Sequence, residues 1–145
     1  MISRDELKKI AVDFRNALDQ VTSGFIVGNF SKFPKECGAD ACDLLQHYLW
    51  YNYKIKTEYR TGKVQVSSRS LETLHCYLVA NGIIIDITAD QFNKEQFQKV
   101  IACESNTYPL LPYFKYVRTK GDEQLGQLNS YQESIYKKVL ECLNK

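Results

Sequence analysis

A cysteine, a histidine and an aspartate occur in the order that a thiol-dependent hydrolase uses. Cys37 precedes a helical pattern, His75 opens a strand pattern, and Asp86 lies on the next strand pattern. A thiol needs a base to become a thiolate, and the base needs a third group to fix its tautomer. We therefore expect Cys37 as nucleophile, His75 as general base and acid, and Asp86 as the orienting carboxylate.

The spacing of His75 and Asp86 follows from a predicted β-hairpin. Asn81-Gly82 is typical of a two-residue type I′ turn, in which both central residues adopt positive φ. If Ala80 pairs with Ile83, His75 and Asp86 become diagonal neighbours on one face, about 7–8 Å apart and within reach of a hydrogen bond. The other face is the predicted core face, and it carries Cys76, Leu78, Ala80, Ile83, Ile85 and Ile87.

Cys37 lies at or just before the predicted start of a helix. Pro34 disfavours a helical residue before it, and apolar residues recur at helical spacing beyond Cys37. The unpaired N–H groups of a helix start stabilise a thiolate and an oxyanion. The alternative is that Cys37 is a small buried hydrophobic residue, a description that fits Cys42 better because Cys42 lies more than a turn inside the helix.

Three further residues are candidates for substrate or oxyanion binding. Asn29 and Ser31 lie upstream of the cysteine and could supply a second oxyanion donor. Gln91 follows the predicted Asp86 strand and could lie at the rim of the site. Its alternative role is in a turn that leads into the next helix.

A metal site and a second histidine compete with this interpretation. Cys37, Cys42, His47 and His75-Cys76 offer zinc ligand types, but their spacings match no common zinc site, so we expect no metal. His47 lies ten residues after Cys37 on the same predicted helix, about 15 Å along its axis, too far to act as the base.

Composition indicates one ordinary globular domain spanning residues 1–145. The hydrophobic content is 44% and the charged content 25%, and the net charge of +2 comes from dispersed residues rather than a basic cluster, so we expect no nucleic-acid partner. The five cysteines and the absence of a signal-peptide pattern predict reduced thiols and cytoplasmic synthesis, although a dedicated secretion system would leave no such mark. The sequence lacks an apolar stretch of about 18 residues, so we expect no membrane span.

The remaining patterns predict an α+β fold in which helices pack on a small antiparallel sheet. Ser3 and Glu6 form a capping-box signature for a helix that extends to about Val21. The other predicted elements are strands over Tyr51–Arg60, Lys63–Ser67 and Phe114–Thr119, and helices over Lys94–Ala102 and Leu128–Leu143.

Residues 30–92 resemble the papain-like and transglutaminase-like superfamily of cysteine hydrolases, small bacterial members above all. The resemblance rests on Phe33-Pro34 with Cys37, on His75 in a strand, and on the segment 82–92, which reads Gly-Ile-Ile-Ile-Asp-Ile-Thr-Ala-Asp-Gln-Phe. It implies a helix packed on an antiparallel sheet and a triad of Cys37, His75 and Asp86. Cys76 follows the histidine where many members have Trp or Ala.

The resemblance indicates the type of reaction better than it indicates the substrate. Superfamily members include peptidases, amidases, deamidases, transglutaminases and acyltransferases, and a bacterial effector or toxin is compatible with them. We expect acyl transfer on a protein or peptide carboxamide without a cofactor, since no cofactor-binding motif is present. The alternative is a catalytically silent domain of this fold that acts as a protein-interaction module. The oligomeric state is not predicted.

Overall fold

The computed structural model describes residues 2–120 and 127–145. Within these ranges three α-helices accompany one antiparallel sheet, whose strands lie in the order β4-β3-β2-β1-β5. The α+β class is therefore confirmed. The elements are α1 Arg4–Thr22, α2 Gly38–Tyr53, β1 Glu58–Val64, β2 Thr73–Ala80, β3 Ile83–Asp86, β4 Ile101–Glu104, β5 Phe114–Lys120 and α3 Ser130–Leu143. No helix in the described ranges is long and apolar enough to cross a membrane.

Capping boxes begin the first and last helices. The Ser3 hydroxyl accepts a hydrogen bond from the Glu6 backbone N–H at 3.1 Å, which confirms the predicted start of α1. Asn129 and Gln132 form the equivalent box at α3, where Gln132 N–H donates to Asn129 Oδ1 at 2.8 Å. This cap begins α3 two residues later than the apolar pattern predicted.

The β2–β3 hairpin has the predicted register. Ala80 pairs with Ile83, and the turn residues Asn81 and Gly82 have φ of 52° and 77°, as a type I′ turn requires. The register follows from local chemistry, because the turn type fixes which residues face each other. It places His75 and Asp86 on the same face of the sheet.

Both faces of the sheet are buried along β2 and β3, whereas β5 is mostly exposed. The helices cover the predicted core face, where Cys76, Leu78 and Ile85 join the side chains of α1, α2 and α3. The face of His75 and Asp86 is covered by the segments between and after β3 and β4, and forms a second core. Its members are Val64, Tyr77, Val79, Ile84, Ala89, Phe97, Ile101, Tyr108 and Leu110.

The two strands predicted around Thr61-Gly62 are wrong. Residues 51–53 belong to α2, and one continuous strand, β1, runs through Gly62, which pairs with His75 on one side and Val117 on the other. The glycine permits close packing rather than a turn. A Cβ there would overlap the Tyr116 carbonyl oxygen and lie 2.9 Å from the Phe114 ring.

The predicted helix over Lys94–Ala102 is also wrong. The segment forms turns and then enters β4, which pairs with β3 along Ile83–Asp86. Val100 joins the helix-side core and Ile101 joins the second core, so neighbouring side chains point to opposite faces of the sheet. Long-range pairing with β3 therefore overrides the local helical pattern.

Candidate functional site

A buried histidine–aspartate pair forms the centre of the candidate site. His75 Nε2 lies 2.7 Å from Asp86 Oδ2, and neither side chain has exposed surface. The Tyr108 hydroxyl donates a second hydrogen bond to Asp86 Oδ2 at 2.6 Å, and the Thr88 backbone N–H donates to Oδ1 at 3.0 Å. Every oxygen of the carboxylate thus has a donor.

These donors keep Asp86 ionised in a dry environment. Burial by itself raises the pKa of the Asp86 carboxyl, but the charge and hydrogen bond of His75, the Tyr108 hydroxyl and the Thr88 N–H together lower it below its usual value. The pKa of the Tyr108 hydroxyl is raised, because burial and the neighbouring carboxylate both oppose its ionisation. Tyr108 therefore acts as a permanent donor to Asp86.

The other ring nitrogen of His75 faces Gln91. Gln91 Nε2 lies 3.0 Å from His75 Nδ1 and, as an amide N–H, donates to it. Nε2–H donates to Asp86, so both ring nitrogens have partners that fix the orientation of the imidazole. The ring is held between aromatic side chains, with the centroid of Phe92 at 5.0 Å, edge-on, and that of Phe114 at 6.2 Å.

Cys37 does not have the environment that its sequence position predicted. It is the N-cap of α2, is 2% exposed and packs in the helix-side core. Across the described ranges no hydrogen bond joins its thiol to His75. The expected lowering of its pKa is wrong: burial first, and then the nearby Asp40 carboxylate, raise the pKa of the Cys37 thiol to about 12.

The residue of α2 that approaches the imidazole is Gly38. A Cβ on Gly38 would lie 3.5 Å from His75 Nδ1, 3.4 Å from Gln91 Nε2 and 3.5 Å from Thr88 Oγ1. Successive residues of a helix are rotated by about 100°, so adjacent side chains face different surroundings. The helix start thus reaches the imidazole one residue later than Cys37.

Of the three binding candidates, the structure brings only Gln91 to the histidine. It contacts the ring directly and also lines the neighbouring cleft. The Asn29 amide instead donates to Asp40 Oδ2 at 3.2 Å, on the exposed surface near α2. Ser31 is half-buried in a short 3-10 turn, where its backbone N–H donates to the Gly28 carbonyl oxygen. Neither Asn29 nor Ser31 forms a hydrogen bond to His75 or Gln91 among the described residues.

Sequence reasoning missed Arg15, which fixes the segment that carries Gln91. Arg15 is 3% exposed and donates to both carboxylate oxygens of Asp90 at 2.8 and 2.9 Å, to the Ile87 carbonyl at 2.7 Å and to Asp19 at 2.9 Å. This bidentate pair ties α1 to the chain immediately before Gln91. The sequence contained one sign of this role, because Arg15 directly follows Phe14, a residue of the predicted buried stripe of α1.

A cleft of about 300 Å³ opens beside the histidine pair. Gln91 and Phe92, the two side chains that contact the His75 ring, form part of its wall. The full lining combines charged, polar and apolar side chains: Lys35, Glu36, Val66, Ser70, Leu71, Thr73, Gln91 and Phe92. His75 itself is fully buried and does not line the cleft, so Gln91 and Phe92 separate its ring from the cleft.

No group of three or more His, Cys, Asp or Glu side chains among residues 2–120 and 127–145 is arranged to hold a metal ion. No family model, no curated protein and no solved structure matches the chain.

Proposed function

We propose that this chain is a catalytically silent domain of papain-like or transglutaminase-like architecture that binds a protein or peptide at the cleft beside His75. One observation carries the proposal: the reactive edge of the imidazole faces the Gln91 amide and Gly38, while the Cys37 thiol is buried in the helix-side core. Among the described residues no hydrogen bond joins the Cys37 thiol to His75, and a base that does not contact the nucleophile does not activate it.

Cysteine-dependent acyl transfer by Cys37 is the second candidate, and the intact His75–Asp86 pair favours it. In that reaction the thiolate would attack a carboxamide carbonyl, and His75 would protonate the leaving amine. The raised pKa of the Cys37 thiol opposes the first step, because only the thiolate is the nucleophile. The environment of the sulfur therefore ranks binding above catalysis.

The lining of the cleft supports a polypeptide as the ligand. Leu71 at the edge is 87% exposed, and Val66 and Phe92 add apolar wall, so an apolar side chain of a partner would be covered there. Lys35 and Glu36 place both charge signs on the same wall. Mixed apolar and paired polar contacts suit a peptide better than a polyanion.

Thiol labelling separates the two candidates. Iodoacetamide labelling of each cysteine between pH 5 and 9, read by peptide mass spectrometry, is expected to leave Cys37 as slow as the buried Cys42, whose pKa is also raised by burial. His75→Gln should not change the Cys37 rate. Fast labelling of Cys37 near neutral pH that depends on His75 would establish the enzyme and refute the binding proposal.

Peptide selection tests the binding site. A displayed library of random peptides is selected on wild-type protein, and the enriched peptides are measured by isothermal titration calorimetry. Leu71→Asp is expected to weaken binding about tenfold or more, because it charges the edge of the cleft. Ile26→Asp is the matched control, since Ile26 is 88% exposed but lies outside the cleft. Equal losses in both variants would place the binding elsewhere.

A further inference from the structure

Nothing in the backbone at the start of α2 requires glycine at position 38. Among the described residues, the glycines with positive φ are Gly24, Gly28 and Gly82, so Gly38 has a conformation open to any residue. The nearest atoms to an ideal Cβ lie 3.4 to 3.5 Å away, which is ordinary van der Waals contact. By contrast, a Cβ at Gly62 would overlap a backbone carbonyl oxygen.

The position of that Cβ has the surroundings of an activated nucleophile. It lies 3.5 Å from Nδ1 of His75, whose Nε2 is already held by Asp86. It is also the first residue of α2, where unpaired N–H groups stabilise an anion. A nucleophile beside a base that a third group orients is the arrangement of covalent catalysis.

We infer that position 38 is the nucleophile position of the His75–Asp86 site, and that its glycine leaves the site without a reacting atom. The inference rests on the proposed function and explains why the site lacks activity. Cys37, one residue earlier, is turned by about 100° into the helix-side core and does not substitute. With a nucleophile restored at position 38, the site would act on acyl groups of esters or carboxamides that enter through the cleft beside Gln91.

The chemistry of a thiol at this position follows from its neighbours. The thiol transfers its proton to His75 Nδ1, and the sulfur attacks the carbonyl carbon of an acyl ester. A sulfur–carbon bond forms, the ester carbon–oxygen bond breaks, and the alcohol oxygen leaves with the electron pair and takes the proton from His75. Water then cleaves the thioester, which releases the carboxylic acid and restores the thiol. Gln91 is half-buried and lines the cleft, so its side chain can turn aside to admit the sulfur.

The test is the double variant Cys37→Ser/Gly38→Cys, with Cys37→Ser alone as the control. At pH 6 the introduced thiol is expected to react with iodoacetamide about tenfold faster than glutathione, because the imidazole and the helix start favour the thiolate. With p-nitrophenyl acetate it should gain one acetyl group, detected by intact mass. Adding His75→Gln should remove both effects.

The outcomes separate this inference from the proposed function. A thiol at position 38 that labels no faster than glutathione and takes no acetyl group would overturn the inference, and the silent wild type would remain. Acylation of wild-type Cys37 would instead overturn the proposed function. Gly38→Ala tests the space independently: it should keep the wild-type melting temperature within a few degrees, and a large loss would show that position 38 cannot carry a side chain.

Discussion

His75 Nε2 and Asp86 Oδ2 lie 2.7 Å apart with no solvent access to either side chain. Two strands joined by a type I′ turn set this distance, and the Tyr108 hydroxyl donates to the same carboxylate oxygen. A buried carboxylate is tolerated only when its oxygens are paired, so loss of one member of the cluster destabilises the others. That dependence makes the cluster testable by stability alone.

Asp86→Ala should strongly destabilise the protein. It leaves the His75 Nε2–H, the Tyr108 hydroxyl and the Thr88 N–H without an acceptor in a buried region. We expect a loss of about 3–5 kcal/mol in the free energy of unfolding, measured by urea denaturation. Tyr108→Phe removes a single donor and should cost about 1–2 kcal/mol. Equal losses in the two variants would contradict a cluster organised around Asp86.

The stabilisation from Asp86 should disappear in acid. Its folded-state pKa lies below the unfolded value of about 3.9, so on acidification the unfolded chain takes up the proton first. The stabilisation is complete above that unfolded pKa and is lost as the pH falls through the folded-state pKa. The difference in unfolding free energy between wild type and Asp86→Asn should therefore be smaller at about pH 3 than at about pH 6. A difference that stays constant would contradict the lowered pKa.

Gln91→Ala should alter one ring nitrogen of His75 and leave the other. The variant removes the donor to Nδ1 but keeps the Asp86 hydrogen bond to Nε2. In long-range nitrogen–proton NMR spectra, the Nδ1 resonance should shift while Nε2 stays protonated, and the cost should be about 1 kcal/mol. Gln98→Ala is the control, because Gln98 is exposed. Loss of the Nε2 proton signal would mean that Gln91 holds the pair itself.

Arg15→Met should loosen the segment that carries Gln91. It removes the bidentate partner of Asp90 and leaves that carboxylate, 10% exposed, without its cation. We expect a loss of about 3 kcal/mol and faster hydrogen exchange at the Gln91 and Phe92 amides, which bond to Thr88 and Ala89.

Lys9→Met is the matched control for Arg15→Met. It removes an ion pair to Asp13 on the exposed side of the same helix, and exposed pairs contribute little. Exchange rates at Gln91 that remain at the wild-type level in Arg15→Met would show that Arg15 does not fix this segment.

Gly62→Ala should destabilise the protein, whereas Gly38→Ala should leave its stability nearly unchanged. The methyl group at position 62 would overlap the Tyr116 carbonyl oxygen and press on the Phe114 ring, so β1 and β5 must move apart. We expect a loss of about 1–3 kcal/mol from this overpacking. Gly38→Ala has room for the methyl group and should be near neutral. Thermal unfolding of both variants measures the contrast, and equal stability would contradict the close packing at Gly62.

Features that depend on neighbouring residues could be predicted from the sequence alone. The Asn81-Gly82 turn and the alternation around it set the hairpin register, and with it the approach of His75 to Asp86. The Ser3–Glu6 box set the start of α1. These features are local, since turn chemistry and capping act within a few residues.

Which group of α2 meets the imidazole could be seen only once the chain was folded. A shift of one residue at a helix start turns a side chain by about 100°, and this turn put Gly38 rather than Cys37 beside His75. The second core, the pairing of β4 with β3 and the reach of Arg15 to Asp90 likewise join residues far apart in the chain. Their energies come from burial and long-range pairing, which a local pattern does not record.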